Sequence, residues 1–155
     1  WRVGFIGAPL WIAKACNKIQ GQVTSATCAI AQKAAERAML ADPRSTTQEM
    51  KDTFLKRRDM ILAELNNIEG IKCNVPQGAF YVFPDVSYYF GKSDGTTTIN
   101  NSDDFCMYLL NSAHVALVAG DSFGNPECVR ISYAAADDKL MQAMDRIKKQ
   151  LAQLN

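Results

Sequence analysis

The sequence predicts an α/β chain, α+β-like in its second part, with helices packed on a small mixed or antiparallel sheet. Three observations lead to that class. From Thr46 to about Asn67, Met50, Phe54, Ile61, Leu65 and Ile68 recur at helical spacing, while Lys51, Lys56, Arg57, Arg58 and Glu64 fall mostly elsewhere. Short apolar runs at 79–83, 115–118 and 128–133 are long enough for strands but not for helices. A last amphipathic stretch carries Leu140, Met144, Ile147 and Leu151 on one face.

The elements follow in order. Trp1 to Gly7 reads as a strand. It starts with Trp rather than Met and has neither a cap nor a polar tail, so truncation by proteolysis or by design is expected there. Pro9 suits the first turn of a helix, which the spacing of Trp11, Ala15 and Ile19 continues to Ile19. Residues 21–25 form a polar break, and Ala26 to Leu40 is an alanine-rich helix with little charge on any side. Asp42-Pro43-Arg44-Ser45 is a linker, and Thr46 with Glu49 forms a capping box for the long helix. Gly70 stops that helix, and Ile71 to Asn74 reads as a short strand. Residues 91–101 are a polar loop. Ser102 is placed to cap a helix through His114 with Phe105, Leu109 and Leu110 inward. Asp137 or Asp138 caps the last helix.

Residues 43–155 can close as a sheet covered by helices. Residues 1–42 hold one strand and two apolar helices, which points to the edge of a larger domain.

Composition removes several function classes. With 155 residues the chain can bury a real core, and 48% apolar content is ordinary for a soluble protein. The 17 basic and 16 acidic residues leave a net charge of +1, which gives no electrostatic case for nucleic acid or an anionic membrane. No apolar run approaches the roughly 18 residues that span a bilayer, and no secretory leader pattern opens the chain. Cys16, Cys28, Cys73, Cys106 and Cys128 lack zinc or disulfide spacing, so buried free thiols in a reducing cytoplasm are expected.

Catalytic motifs are few. His114 reads as a helix C-terminal residue favoured by the helix dipole, and no nucleophile triad, H-E-x-x-H, Walker loop or G-x-G-x-x-G is present. Asp103-Asp104 and Asp137-Asp138 read as N-terminal helix charges. Arg2 and Arg130 differ because each sits in an apolar strand, where an unpaired charge is costly. Each is either half of an internal salt bridge, or an edge residue, or a planar clamp for a carboxylate or phosphate. Periodicity does not separate these readings.

Four segments together resemble one family. Trp1-Arg-Val-Gly-Phe-Ile-Gly-Ala-Pro9, Gln22-Val-Thr-Ser25 ahead of Ile30-Ala-Gln32, Pro76-Gln-Gly-Ala-Phe-Tyr-Val82, and Gly120-Asp-Ser-Phe-Gly124 with Val129-Arg-Ile-Ser-Tyr133 resemble, in order, the C-terminal part of fold-type I pyridoxal-phosphate aminotransferases of the aspartate type. The resemblance implies that 1–42 is a remnant of the large cofactor-binding domain and 43–155 the small domain. It implies that Arg2 binds the phosphate of pyridoxal 5'-phosphate, that Arg130 binds the substrate α-carboxylate, and that Ser25 reaches the phosphate in the neighbouring subunit of a homodimer. Ala26-Thr27 departs from the family's common Asn-Pro. The family's Schiff-base lysine would precede Trp1, so this chain is expected to contain no catalytic residue, not to bind the cofactor by itself and to be inactive alone. The parent would exchange an amino group between an amino acid, aspartate-like, and a 2-oxo acid. The alternatives are another fold-type I enzyme, a lyase or synthase, or a non-catalytic domain whose helices in 10–40 bind a partner chain.

Overall fold

The computed structural model describes residues 2–42, 44 and 47–155. Among them the order is α1 (Leu10–Val23), α2 (Ala29–Leu40), α3 (Gln48–Asn66), β1 (Tyr81–Val82), α4 (Ser102–Ala113), β2 (Val118–Ala119), β3 (Val129–Ser132) and α5 (Asp137–Leu151), with 3-10 turns at Ser87–Tyr89 and Gly120–Phe123. The chain divides into two compact units, Trp1–Gln48 and Glu49–Asn155. Trp1, the Pro43 and Ser45 positions of the linker, and Thr46 of the capping box lie outside the described residues.

In the first unit, Pro9 opens α1 through its carbonyl, which accepts from the Ile12 and Ala13 amides at 2.9 and 3.1 Å. The helix runs through Gly21 to Val23, so the expected break begins later, at Thr24. One glycine costs a helix only about 1 kcal/mol, too little to end it. Likewise α2 starts at Ala29 rather than Ala26, because Ser25 adopts a left-handed φ of 61° and the Gln32 side-chain Nε2 donates to the Thr27 carbonyl at 2.8 Å. The strand expected at the start is absent: residues 2–7 have no regular structure and are exposed. A strand exists only through its neighbours' hydrogen bonds, and among the described residues none pairs with this segment. The stripe of α1 is also uncovered, with Trp11 74% and Ile19 64% exposed.

The second unit holds the core. Among the described residues the sheet has the order β1-β3-β2 and is antiparallel throughout. Tyr81 pairs with Ser132 and Val82 with Ile131 on one side of β3, while Val118 pairs with Arg130 and Ala119 with Val129 on the other. The expected strands are shortened. Ala79 takes a left-handed φ of 60°, which bends the chain just before β1. The run 71–74 contributes a single bridge, Lys72 to Asp85, which continues to Cys128.

Helix α4 packs on β2 and α5 packs on α4, while α3 joins the same buried cluster through Ile61, Leu62 and Leu65. Phe105, Ile61, Leu65, Ile99, Leu109, Ile147, Val82, Val86 and Val129 are almost completely buried. Each such side chain contributes about 1.5–3 kcal/mol on leaving water. The apolar face of α5 is buried as its periodicity requires, at Leu140, Met144, Ile147 and Leu151. Two residues expected inward are not: Met50 is 59% and Leu110 42% exposed. The core covers α3 only from the half-buried Phe54 onward, and Leu110 lies at the margin of the buried face of α4. Gly70 ends the turn after α3 with φ 79°, and a Cβ there would overlap the Tyr88 ring.

The caps are also displaced by one residue. The α4 cap is Asn101, whose side-chain oxygen accepts from the Asp104 amide at 2.8 Å, whereas Ser102 is buried and its hydroxyl donates to Asp121 at 3.4 Å. His114 ends α4 in a left-handed conformation, φ 56°. Asp137 and Asp138 lie in the first turn of α5 and make no side-chain cap. Asp137 instead accepts from Lys56 Nζ at 2.8 Å and Arg57 Nε at 2.7 Å, which ties α5 to α3. Those hydrogen bonds hold its carboxyl down at about 2. Its folded value is therefore below the usual carboxylate value of about 3.9, so the stability it contributes is present above that value and is lost as pH falls towards 2. Urea midpoints of the wild type and of Asp137→Asn are expected to differ at neutral pH and to converge near pH 2 (unchanged separation across that range contradicts the assignment).

All five cysteines are free. Cys106 and Cys128 are buried, as expected, and burial pushes the Cys106 thiol up to about 11. Cys16 and Cys28 are exposed, which corrects the expectation for the first unit. No described helix is long and apolar enough to cross a membrane.

Candidate functional site

Arg130 lies on the central strand β3, so it is not an edge residue. It is half-buried, and among the described residues its guanidinium has no carboxylate partner. The internal salt bridge is thus not what holds it. Its Cζ lies 4.5 Å from the centre of the Tyr81 ring and 4.3 Å from that of Phe123. Contacts of this kind attract a guanidinium to a π face without consuming its N–H donors. No wholly buried polar side-chain atom lacks a partner among the described residues. The unpaired Arg130 nitrogens therefore remain within reach of solvent or a ligand. The result is a cationic fork with two aromatic walls and open hydrogen-bonding positions.

Neighbouring segments build this arrangement. Tyr81 follows the left-handed Ala79, whose carbonyl accepts from the Tyr133 hydroxyl at 3.0 Å, and the Tyr133 amide donates to the Phe80 carbonyl at 2.9 Å. Phe80 stacks on Phe54 of α3 at 5.7 Å and packs against Tyr81 at 4.6 Å. Phe123 ends the Gly120–Phe123 turn. Its ring meets that of Phe83 edge-on at 6.2 Å. Gly120 is required here because a Cβ would overlap the backbone carbonyls of Asn125 and Cys128. Gly120→Ala is expected to cost about 1–3 kcal/mol of overpacking and to lower the denaturation midpoint clearly. An unchanged midpoint would mean that the turn can move away from those carbonyls.

The other two candidates lie in the first unit. Arg2 is exposed and outside any strand, and has no carboxylate partner among the described residues. Ser25 is exposed and lines a groove of about 460 Å³ together with Val3, Gly4 and Phe5. Its turn is held by Gln20, which donates to the Thr27 hydroxyl at 3.0 Å, and by Gln32. The structure thus brings Ser25 beside the segment that follows Arg2. Sequence reasoning missed four residues: Tyr81 and Phe123 at the arginine, Gln20 and Gln32 at the turn. The aromatics lay inside quoted motifs, but their approach to Arg130 depends on strand pairing. Among the described residues no cluster of His, Cys, Asp or Glu is arranged to hold a metal.

The model of the family described as aminotransferase class I and II matches residues 1–147. The chain belongs to that aminotransferase family. A bifunctional aspartate aminotransferase and glutamate/aspartate-prephenate aminotransferase of Petunia hybrida is 47% identical over 154 residues, which is 97% of this chain and 32% of that protein. An aspartate aminotransferase of Pinus pinaster is 42% identical over 97% of the chain and 31% of its own length. The crystal structure of the aspartate aminotransferase from Rhizobium meliloti superimposes with a TM-score of 0.81 at 39% identity, covering 96% of this chain and 37% of that one. The chain therefore spans about a third of the length of the relatives it matches.

Proposed function

We propose that the chain is the C-terminal part of a pyridoxal-phosphate aminotransferase acting on an aspartate-like amino acid and a 2-oxo acid, and that Arg130 holds the substrate's α-carboxylate. The observation that carries this is the Arg130 fork, walled by Tyr81 and Phe123 and without a carboxylate partner among the described residues. A bidentate guanidinium–carboxylate pair fixes both the position and the plane of the acid. Holding the acid that way orients the bond to be broken at Cα, and orientation supplies much of the rate in such reactions.

The cofactor fits part of the chain's chemistry. The Arg2 guanidinium is exposed, unpaired among the described residues, and suited to a phosphate dianion. The exposed Ser25 hydroxyl is suited to the phosphate of a second subunit in a homodimer. The bound cofactor supplies an electron sink for carbanion chemistry. We assign residues 1–42 to the large cofactor-binding domain and 43–155 to the small domain. The uncovered Trp11 and Ile19 support a first unit that packs on further protein. Lys14 and Lys18 are exposed on α1 and do not stand in the family's lysine motif, which supports a catalytic lysine in the preceding sequence of a longer enzyme.

Two measurements test this. The chain supplied with pyridoxal phosphate, aspartate and 2-oxoglutarate is expected to show no turnover, and turnover would overturn the placement of the lysine. In nitrogen-15 NMR, the Arg130 Nε–H signal is expected to shift with succinate and to stay in place with succinamide. Equal response to both would overturn the carboxylate role.

A further inference from the structure

We infer that Tyr81 and Phe123 are positioning residues that fix the plane of the Arg130 guanidinium and make its site selective for planar carboxylates over tetrahedral anions. The inference rests on the reading of Arg130 as the carboxylate grip.

The two rings come from opposite sides of β3. Tyr81 is on β1, paired with Ser132, two residues along β3 from Arg130 and therefore on the same face of the sheet. Phe123 follows β2, whose Val118 pairs with Arg130 from the other side. Both ring centres lie within 4.5 Å of Cζ. The rings are themselves supported, Tyr81 against Phe80 and Phe123 against Phe83. The turn carrying Phe123 is tied to α4 by the hydrogen bond from Ser102 to Asp121. Phe123 is 46% exposed, so the core does not account for its position.

A guanidinium is planar, so its N–H donors lie at its edge and leave the ring faces over which Cζ sits to the π contacts. A carboxylate that meets that edge with two parallel hydrogen bonds stays in the same plane. A phosphate bonded to the same edge carries oxygens above and below the plane. Those oxygens approach the negative faces of the aromatic quadrupoles. The same walls that hold the arginine thus disfavour the wrong anion, a repulsive contribution to specificity.

The experiment uses the whole nitrogen-15-labelled chain, the backbone amide signals of Ile131 and Ser132 beside Arg130, which every variant keeps, and titration with succinate and with inorganic phosphate. The wild type is expected to bind succinate more tightly than phosphate by about tenfold or more. Phe123→Leu and Tyr81→Leu are each expected to weaken succinate binding about fivefold, as loss of a cation–π contact of about 1 kcal/mol requires, and to narrow the preference over phosphate. Phe123→Tyr and Tyr81→Phe are expected to retain both properties. Phe123 is largely outside the core, so its variant carries the test if Tyr81→Leu does not fold. Unchanged succinate affinity and preference in Phe123→Leu, with binding abolished in Arg130→Gln, overturns the positioning role and leaves the carboxylate reading standing. Succinate binding that survives Arg130→Gln overturns the carboxylate reading, and the inference falls with it.

Discussion

In the longer aminotransferase proposed above, replacing Arg130 with glutamine is expected to lower kcat/KM for the amino acid by about 10²–10³-fold, the effect of removing one partner of a close charged pair worth about 2–5 kcal/mol. Arg130→Lys should recover only part of this, because an ammonium offers a point charge and not a planar fork. Folding should lose only about 1–2 kcal/mol. Among the described residues no carboxylate is left unpaired by the change, since Arg130 has no ion-pair partner there. What the fold loses is the contact with Tyr81 and Phe123, about 0.5–1 kcal/mol for each ring. Steady-state kinetics paired with urea denaturation separates the two. A large loss of stability with little loss of kcat/KM would make Arg130 a structural residue.

Phe105→Ala is expected to be the most damaging single change to the second unit. The ring is 1% exposed, sits on α4, and meets the Tyr89 ring at 5.6 Å. Removing it deletes buried surface and leaves a cavity that close-packed neighbours fill only in part, at about 3–5 kcal/mol. That is a large share of the 5–15 kcal/mol that holds a typical domain folded. Tyr89 anchors the other side of the gap, since its hydroxyl donates to the Glu69 carbonyl at 2.6 Å. The thermal midpoint should fall by about 4 °C per kcal/mol for a unit of this size. Phe105→Leu should cost much less. A small loss for the alanine variant would mean that α4 can settle onto the sheet.

The helices of this chain were legible because their signal is local. The stripe of α5 is a property of consecutive residues, and all four of its expected core positions are buried. What failed depends on distant partners. The Trp1-to-Gly7 segment has strand composition, but pairing makes a strand, and none is available among the described residues. Ser102 and Asn101 are both competent caps in sequence. Burial of Ser102 against Asp121 decides between them. Asp137 looked like a cap, yet its partners Lys56 and Arg57 lie on another helix. Arg130 itself was readable as an arginine in an apolar strand. Its choice between salt bridge and clamp was not, because Tyr81 and Phe123 reach it only through the pairing of β1 and β2 with β3.

Recognition of an α-carboxylate by the Arg130 guanidinium can be read out from the substrate's charge alone. The most direct measurement is the ratio of kcat/KM for an amino acid to that for its α-amide, in the longer enzyme and in its Arg130→Gln variant. The amide has nearly the same shape but no negative charge at that position. A ratio of about 10³ or more is expected with arginine, equivalent to about 4 kcal/mol, collapsing towards one with glutamine. A ratio that stays the same in the variant would contradict recognition by Arg130.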